Sequence, residues 1–104
     1  MYDTLTLVLS GDSMITRRVS TSRDAAVTGL IEHIRGADAA FTNLEVLPND
    51  FRGHPAQESG GTHLAAHHWV VDDLHRLGFD LFATATNHAL DYSIAGLLAT
   101  IETL

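Results

Sequence analysis

The sequence predicts an α/β domain built on a parallel sheet, and three observations predict it. Short runs of β-favouring residues alternate with amphipathic stretches. The order is strand, helix, strand, helix, strand, helix, which gives parallel strands joined by right-handed crossovers. Polar and acidic residues collect immediately after each strand, where an open parallel sheet binds its ligands. At 104 residues the chain has room for a single domain.

The first strand is expected over Thr4 to Ser10, where Leu5, Leu7 and Leu9 alternate with small or β-favouring residues, a pattern of burial on both faces that Gly11-Asp12 ends. A helix follows the polar run from Thr16 to Asp24, because Val27, Leu30, Ile31 and Ile34 recur at i, i+3, i+4 and i+7, and Gly36 stops it. A second strand covers Ala39 to Thr42 and leads into Asn43-Leu44-Glu45. From Pro48 to Gly61 both prolines and three glycines predict an irregular segment, long enough to be read as a lid near a site. The second helix is expected from about Ala66 to Leu77, burying Val70, Leu74 and Leu77, with Gly78 as its cap. Leu81 to Ala85 is the third strand. The last helix begins near Ser93 and places Ile94, Leu97, Leu98, Ile101 and Leu104 on one apolar face.

Composition removes several function classes. There is no cysteine, so disulfides, thiolate metal sites and cysteine nucleophiles are excluded. The formal net charge is -7 and all six basic residues are arginine, with no basic stripe interleaved with aromatics, which disfavours nucleic-acid binding. The apolar stretch Leu5 to Leu9 is far short of the ~20 residues that a membrane span needs, so no membrane span is expected.

The strand ends concentrate the chemistry. The first delivers Gly11-Asp12-Ser13, the second Asn43-Leu44-Glu45, and the third Thr86-Asn87-His88 followed by Asp91. Like charges gathered on one rim repel unless a cation lies between them, so Asp12 and Glu45 point to a divalent metal ion. Oxygen-rich ligands with at most one imidazole suit manganese, magnesium, iron or zinc. His88, next to the ligand candidate Asn87, is placed to give a proton to a leaving group or to hydrogen-bond developing negative charge. Asp91 either orients His88 or caps the last helix. Arg17 and Arg18, just after the first cluster, are candidates to clamp an anionic substrate. His33 and His75 read as helix-surface residues, His67 and His68 as the opening of a helix, and His54 and His63 as loop residues.

Gly11-Asp12-Ser13-Met14, Ala37-Asp38 leading through Phe41 to Asn43-Leu44-Glu45, and Leu77-Gly78-Phe79-Asp80 running into Asn87-His88-Ala89-Leu90-Asp91-Tyr92 and Gly96-Leu97 carry a family resemblance. In that order they resemble the bacterial capsule-synthesis proteins of the CapA type, associated with poly-γ-glutamate capsules and related to the calcineurin-like metallophosphoesterases. The resemblance implies a metallophosphoesterase-like layered sandwich, of which residues 1–104 are expected to be the N-terminal portion. It implies metal ligands at Asp12, at Glu45 or Asn43, and at Asn87, with His88 contacting phosphate. The substrate it implies is a phosphate ester or an amide in an anionic polymer. A capsule-synthesis complex and the cell envelope are the implied surroundings, although no signal peptide is visible and a cytoplasmic setting is also open. Two departures stand out. Met14 occupies the place of the histidine that phosphoesterases carry two residues after the first aspartate, and Thr86 replaces a second asparagine before Asn87. Non-catalytic binding or retention of anionic polymer at the envelope is therefore the alternative reading.

Overall fold

The structure is a computed structural model that describes residues 3–58 and 61–104. Its elements are β1 (Leu7–Ser13), α1 (Ala25–Arg35), β2 (Ala39–Leu44), α2 (Trp69–Leu77), β3 (Leu81–Ala83) and α3 (Ser93–Thr103), in the expected order. The three strands form one parallel sheet in the order β1-β2-β3.

Local chemistry explains the helix ends. Asp24 caps α1 by accepting from the amides of Ala26 (2.8 Å) and Val27 (3.2 Å), a contact typically worth ~1 kcal/mol. Gly78 ends α2 in the left-handed conformation at φ 111°, and a Cβ there would come within 3.2 Å of the Arg35 backbone. The guanidinium of Arg35 donates to the carbonyl of Arg76, tying the two helix ends together. α2 begins three residues later than the periodicity suggests. Ala65 and Ala66 instead pair with the chain at Leu47, the Ala66 amide donating to the Leu47 carbonyl at 2.8 Å.

One face of the sheet is packed. Ile31 and Ile34 of α1 and Val70, Leu74 and Leu77 of α2 close over Ala40 and Leu44 of β2, with Val8 and Phe82 at the flanks. Burying each large side chain contributes roughly 1.5–3 kcal/mol, so this helix layer accounts for most of the sheet's anchoring. Leu30, grouped with the α1 stripe in the sequence, lies outside it and is exposed.

The opposite face corrects the reading of the first strand. β1 starts at Leu7 rather than Thr4, runs through Gly11-Asp12 to Ser13, and is not buried on both faces: Leu9 is 68% exposed. The cause is topological. Among the described residues β1 is an edge strand paired only with β2, and both packed helices lie on the Val8 side, which leaves Leu7, Leu9 and Leu81 exposed on the other face. Its register with β2 shifts between Leu9 and Asp12, an irregularity that lets Asp12 pair opposite Asn43.

α3 also turns differently from its pattern. Ile94, Leu98, Ile101 and Leu104 are exposed, and the buried side is Gly96, Ala99 and Thr100. The 48–56 segment decides this by pressing on α3 at near-contact distance. A Cβ on Gly53 would fall 2.4 Å from the Tyr92 carbonyl and 2.8 Å from the Gly96 nitrogen, at φ 94°. Only small residues fit such a seam. We expect Gly53→Ala to destabilise the protein by about 2 kcal/mol or more, through combined backbone strain and overlap, read as a lowered urea midpoint. Further bonds fix the segment: Ser93 Oγ donates to the His54 carbonyl (2.8 Å), Ala56 N to the Asp91 carbonyl (2.8 Å), and fully buried Asn49 donates to the Arg52 carbonyl (2.9 Å). The expected lid is thus near the site, but Gly53, His54 and Ala56 tie it to the start of α3 and Asp50 ties it to the entry of α2; Ser59 and Gly60 lie outside the described residues.

Candidate functional site

The carboxyl ends of the strands bring two of the three clusters into direct contact with each other and the third alongside. Pairing of Asp12 with Asn43 across β1 and β2 sets their side chains together, and the Asn43 carboxamide donates from Nδ2 to Asp12 Oδ1 (2.8 Å) and to Glu45 Oε2 (2.8 Å). Asp12 is exposed, Asn43 half-buried and Glu45 buried. Glu45 sits just past β2, where its amide donates to the Asn43 carbonyl (3.0 Å) and the next amide, Val46 N, to the Ser13 carbonyl (3.3 Å).

His88 reaches the cluster from the turn after β3. Thr86 Oγ1 accepts from its amide (3.1 Å), and the imidazole is buried between two carboxylates. Nδ1 lies 2.7 Å from Asp91 Oδ2, and Nε2 lies 3.8 Å from Glu45 Oε1. Asp91 Oδ2 also accepts from the Leu64 amide (2.7 Å), so it acts as an acceptor and the shared proton belongs on His88 Nδ1. Nε2 is then the ring nitrogen that faces Glu45. Asp91 is fully buried, and its Oδ1 has no partner among the described residues.

Asp91 therefore orients His88 and does not cap α3. The residue at the cap position is Tyr92, with no side-chain cap bond, because the Asp91 carboxylate is drawn inward to His88 and Leu64. Asn87 is on the exposed side of the same turn. Of the candidate residues, Asp12, Asn43, Glu45, His88 and Asp91 form one chain of contacts.

The arginines are elsewhere. Arg18 stacks its guanidinium on Trp69, 4.8 Å from the ring centroid, and lies 3.8 Å from Asp73 Oδ1. Arg17 and Arg18 line a pocket with Val19, Thr21, Ser22 and Val27 that none of the five site residues enters.

Two functional-looking carboxylates escaped the sequence reading. Asp73, fully buried on α2, accepts from the amides of Val19 (2.7 Å) and Ser20 (3.2 Å) and binds the Ser20 hydroxyl. Burial pushes its carboxyl up, but the Ser20 hydroxyl, the two amides and Arg18 together hold it below the usual carboxylate range. A signal was present, since Asp73 interrupts the apolar stripe at i+3 between Val70 and Leu74. Asp50 is held below its ordinary value chiefly by the His68 amide and then by the His68 ring, with His67 3.7 Å away. This places His67 and His68 on an acidic partner at the entry to α2.

Among the described residues, no three His, Asp or Glu side chains converge as a metal-holding group. The available set is two carboxylates bridged by one carboxamide, with an imidazole nitrogen behind them. Its chemistry still fits a divalent cation: the ligand atoms are mostly hard oxygens, and a carboxamide turned to present Oδ1 changes from a donor between the carboxylates into a third oxygen ligand.

A parallel sheet with a buried imidazole and acidic side chains gathered at its strand ends defines an α/β protein with a polar rim site. Residues 6–104 match the family described as bacterial capsule synthesis protein, PGA_cap. The chain belongs to that family. Two proteins of Sinorhizobium fredii (strain NBRC 101917 / NGR234), named uncharacterized protein y4sH and uncharacterized protein y4uA, are each 31% identical to it over 107 residues. The similarity covers 100% of this chain and 23% of each relative, so the chain spans about a quarter of their length. No helix among the described residues is long and apolar enough to cross a membrane.

Proposed function

We propose that this chain carries a metallophosphoesterase-like hydrolytic site of a capsule-synthesis-type protein, acting on a phosphate ester or an amide within an anionic polymer such as poly-γ-glutamate. The observation that supports it is His88, buried with Nδ1 on Asp91 and Nε2 facing Glu45. That arrangement leaves Nε2 as the atom that handles a proton. It takes one from an attacking water, Asp91 and Glu45 steady the resulting imidazolium, and Nε2 passes the proton to the departing oxygen or nitrogen. Asn43 keeps Asp12 and Glu45 from separating, and it is also placed to contact substrate.

Asp12 and Glu45, with the Asn43 carboxamide between them turned to present its oxygen, and Asn87 from the neighbouring turn, are the residues proposed to hold a divalent ion, whether manganese, magnesium, iron or zinc. Such an ion supplies Lewis-acid polarisation of the scissile group and a more acidic bound water. Titration calorimetry with Mn2+ tests this. Binding is expected in the parent protein and loss of it in Asp12→Ala and Asn87→Ala; equal binding in all three overturns the metal assignment.

The alternative is binding or retention of anionic polymer at the cell envelope without turnover. It is favoured by Met14 in place of the phosphoesterase histidine and by a carboxamide, rather than a third His, Asp or Glu, between the two carboxylates. Polymer binding that survives His88→Ala, with no hydrolysis in either protein, is the outcome that selects it.

A further inference from the structure

The segment between β1 and α1 builds a second feature. It leaves the carboxyl end of β1, is held against α2 by the Val19 and Ser20 amides on Asp73, and enters α1 at Asp24. Between these anchors lies an open pocket of about 290 Å³. That is several times the ~30 Å³ of a water molecule, so it has room for an anion together with the group that carries it.

The lining combines three kinds of surface. Arg17 makes no hydrogen bond or ion pair with any described residue, so its guanidinium keeps all five donors. Arg18 is oriented by Trp69 and Asp73 and serves as a fixed second cation. Thr21 and Ser22 add hydroxyls; Ser22 Oγ accepts from the Asp24 amide (3.2 Å), which leaves its proton free to donate. Val19 and Val27 supply an apolar wall. Two carboxylates of the same region have partners of their own, Asp24 the α1 amides and Asp73 the Val19 and Ser20 amides, the Ser20 hydroxyl and Arg18. In a chain of formal net charge -7, the pocket's own lining gathers two cations and two hydroxyls and no carboxylate.

We infer that this pocket is a binding site for a carboxylate carried on a short aliphatic stem. The oxyanion pairs with the Arg17 fork and the hydroxyls, and the methylene stem lies on the valines. The inference stands apart from the hydrolytic reading, since it requires no turnover and involves none of the rim residues. In the context of that reading it provides a second point of attachment for a chain of linked acidic units.

Calorimetric titration of the protein with glutarate, and separately with inorganic phosphate, tests it. Glutarate is expected to bind, to weaken as ionic strength rises, and to weaken at least tenfold in Arg17→Gln. Arg17 is exposed, so the variant should fold, and circular dichroism verifies this. Thr21→Val should weaken glutarate by a smaller factor, and His88→Asn should leave it unchanged, which separates failure of this site from failure of the rim chemistry. Glutarate binding that is absent, or equal in Arg17→Gln, overturns the proposal. Phosphate binding as tight as glutarate or tighter overturns the carboxylate assignment and makes the pocket a phosphate site.

Discussion

Replacing His88 with alanine is expected to lower hydrolysis of a generic phosphomonoester or of γ-linked polymer by about 10²–10⁴-fold, the range spanned by removal of a positioned acid or base. The truncation also leaves Glu45 and Asp91 buried without the imidazole between them, which by itself disturbs the fold. His88→Asn separates the two effects. Its carboxamide retains a donor for Asp91 on a side chain of similar reach, but it offers no nitrogen able to accept and return a proton. The expected result is a stable, inactive protein. Turnover retained in both variants would overturn the hydrolytic role of this histidine, whatever the substrate.

The largest stability effect is expected at Asp73. Asp73→Ala strands the amides of Val19 and Ser20 and the Ser20 hydroxyl where the carboxylate accepted them. A buried donor left unsatisfied costs ~1–3 kcal/mol, so the total should be about 3 kcal/mol or more, measured by urea denaturation at neutral pH. Asp73→Asn should recover only part of this, because its amide group turns a donor toward donors. The pH dependence follows with a definite sign. The folded carboxyl titrates below its unfolded value of ~3.9, so the folded state prefers the ionised form. Its contribution is complete above the unfolded value and is lost as pH falls from about 4 through the folded value. Asp73→Ala should therefore flatten the stability profile below about pH 4 while lowering it at neutral pH. An unchanged acid profile would show that Asp73 is not an acid-sensitive anchor.

These two residues show how unevenly the sequence discloses its structure. His88 is prominent because it follows a strand and sits among residues that favour polar chemistry. Asp73 is inconspicuous because its partners are the backbone amides of Val19 and Ser20, more than fifty positions away, and amides have no sequence signature. The stripe around it still carried a hint, since a carboxylate among Val70, Leu74 and Leu77 must either be paired or break the helix face.

The site was legible to a similar, partial degree. Asp12, Asn43, Glu45, His88 and Asp91 follow from the rule that parallel strands share a functional rim, and the structure brings those five together. Which atoms meet did not follow. That Asn43 joins the two carboxylates depends on the register shift in β1, which places Asp12 opposite it. That Asp91 faces His88 rather than the end of α3 depends on Leu64 from the 61–65 stretch, which reaches Asp91 Oδ2. The arginine pair was read as one clamp; both line one pocket away from the rim, and Trp69 and Asp73 engage Arg18 alone.

What the sequence by itself determined is therefore local: the number, kind and order of the elements, the Asp24 cap, the Gly78 stop, and the residues delivered to the strand ends. Periodicity, capping and backbone conformation act over a few residues, so they are written in adjacent positions. Tertiary structure decided which apolar stripe is covered. β1 reads as doubly buried yet is an edge strand with Leu7 and Leu9 exposed, and α3 turns Ile94, Leu98 and Ile101 outward because the seam with Gly53 admits only Gly96, Ala99 and Thr100. A stripe of leucines and isoleucines states that a surface favours burial; which neighbour covers it is set by close packing between segments distant in the chain.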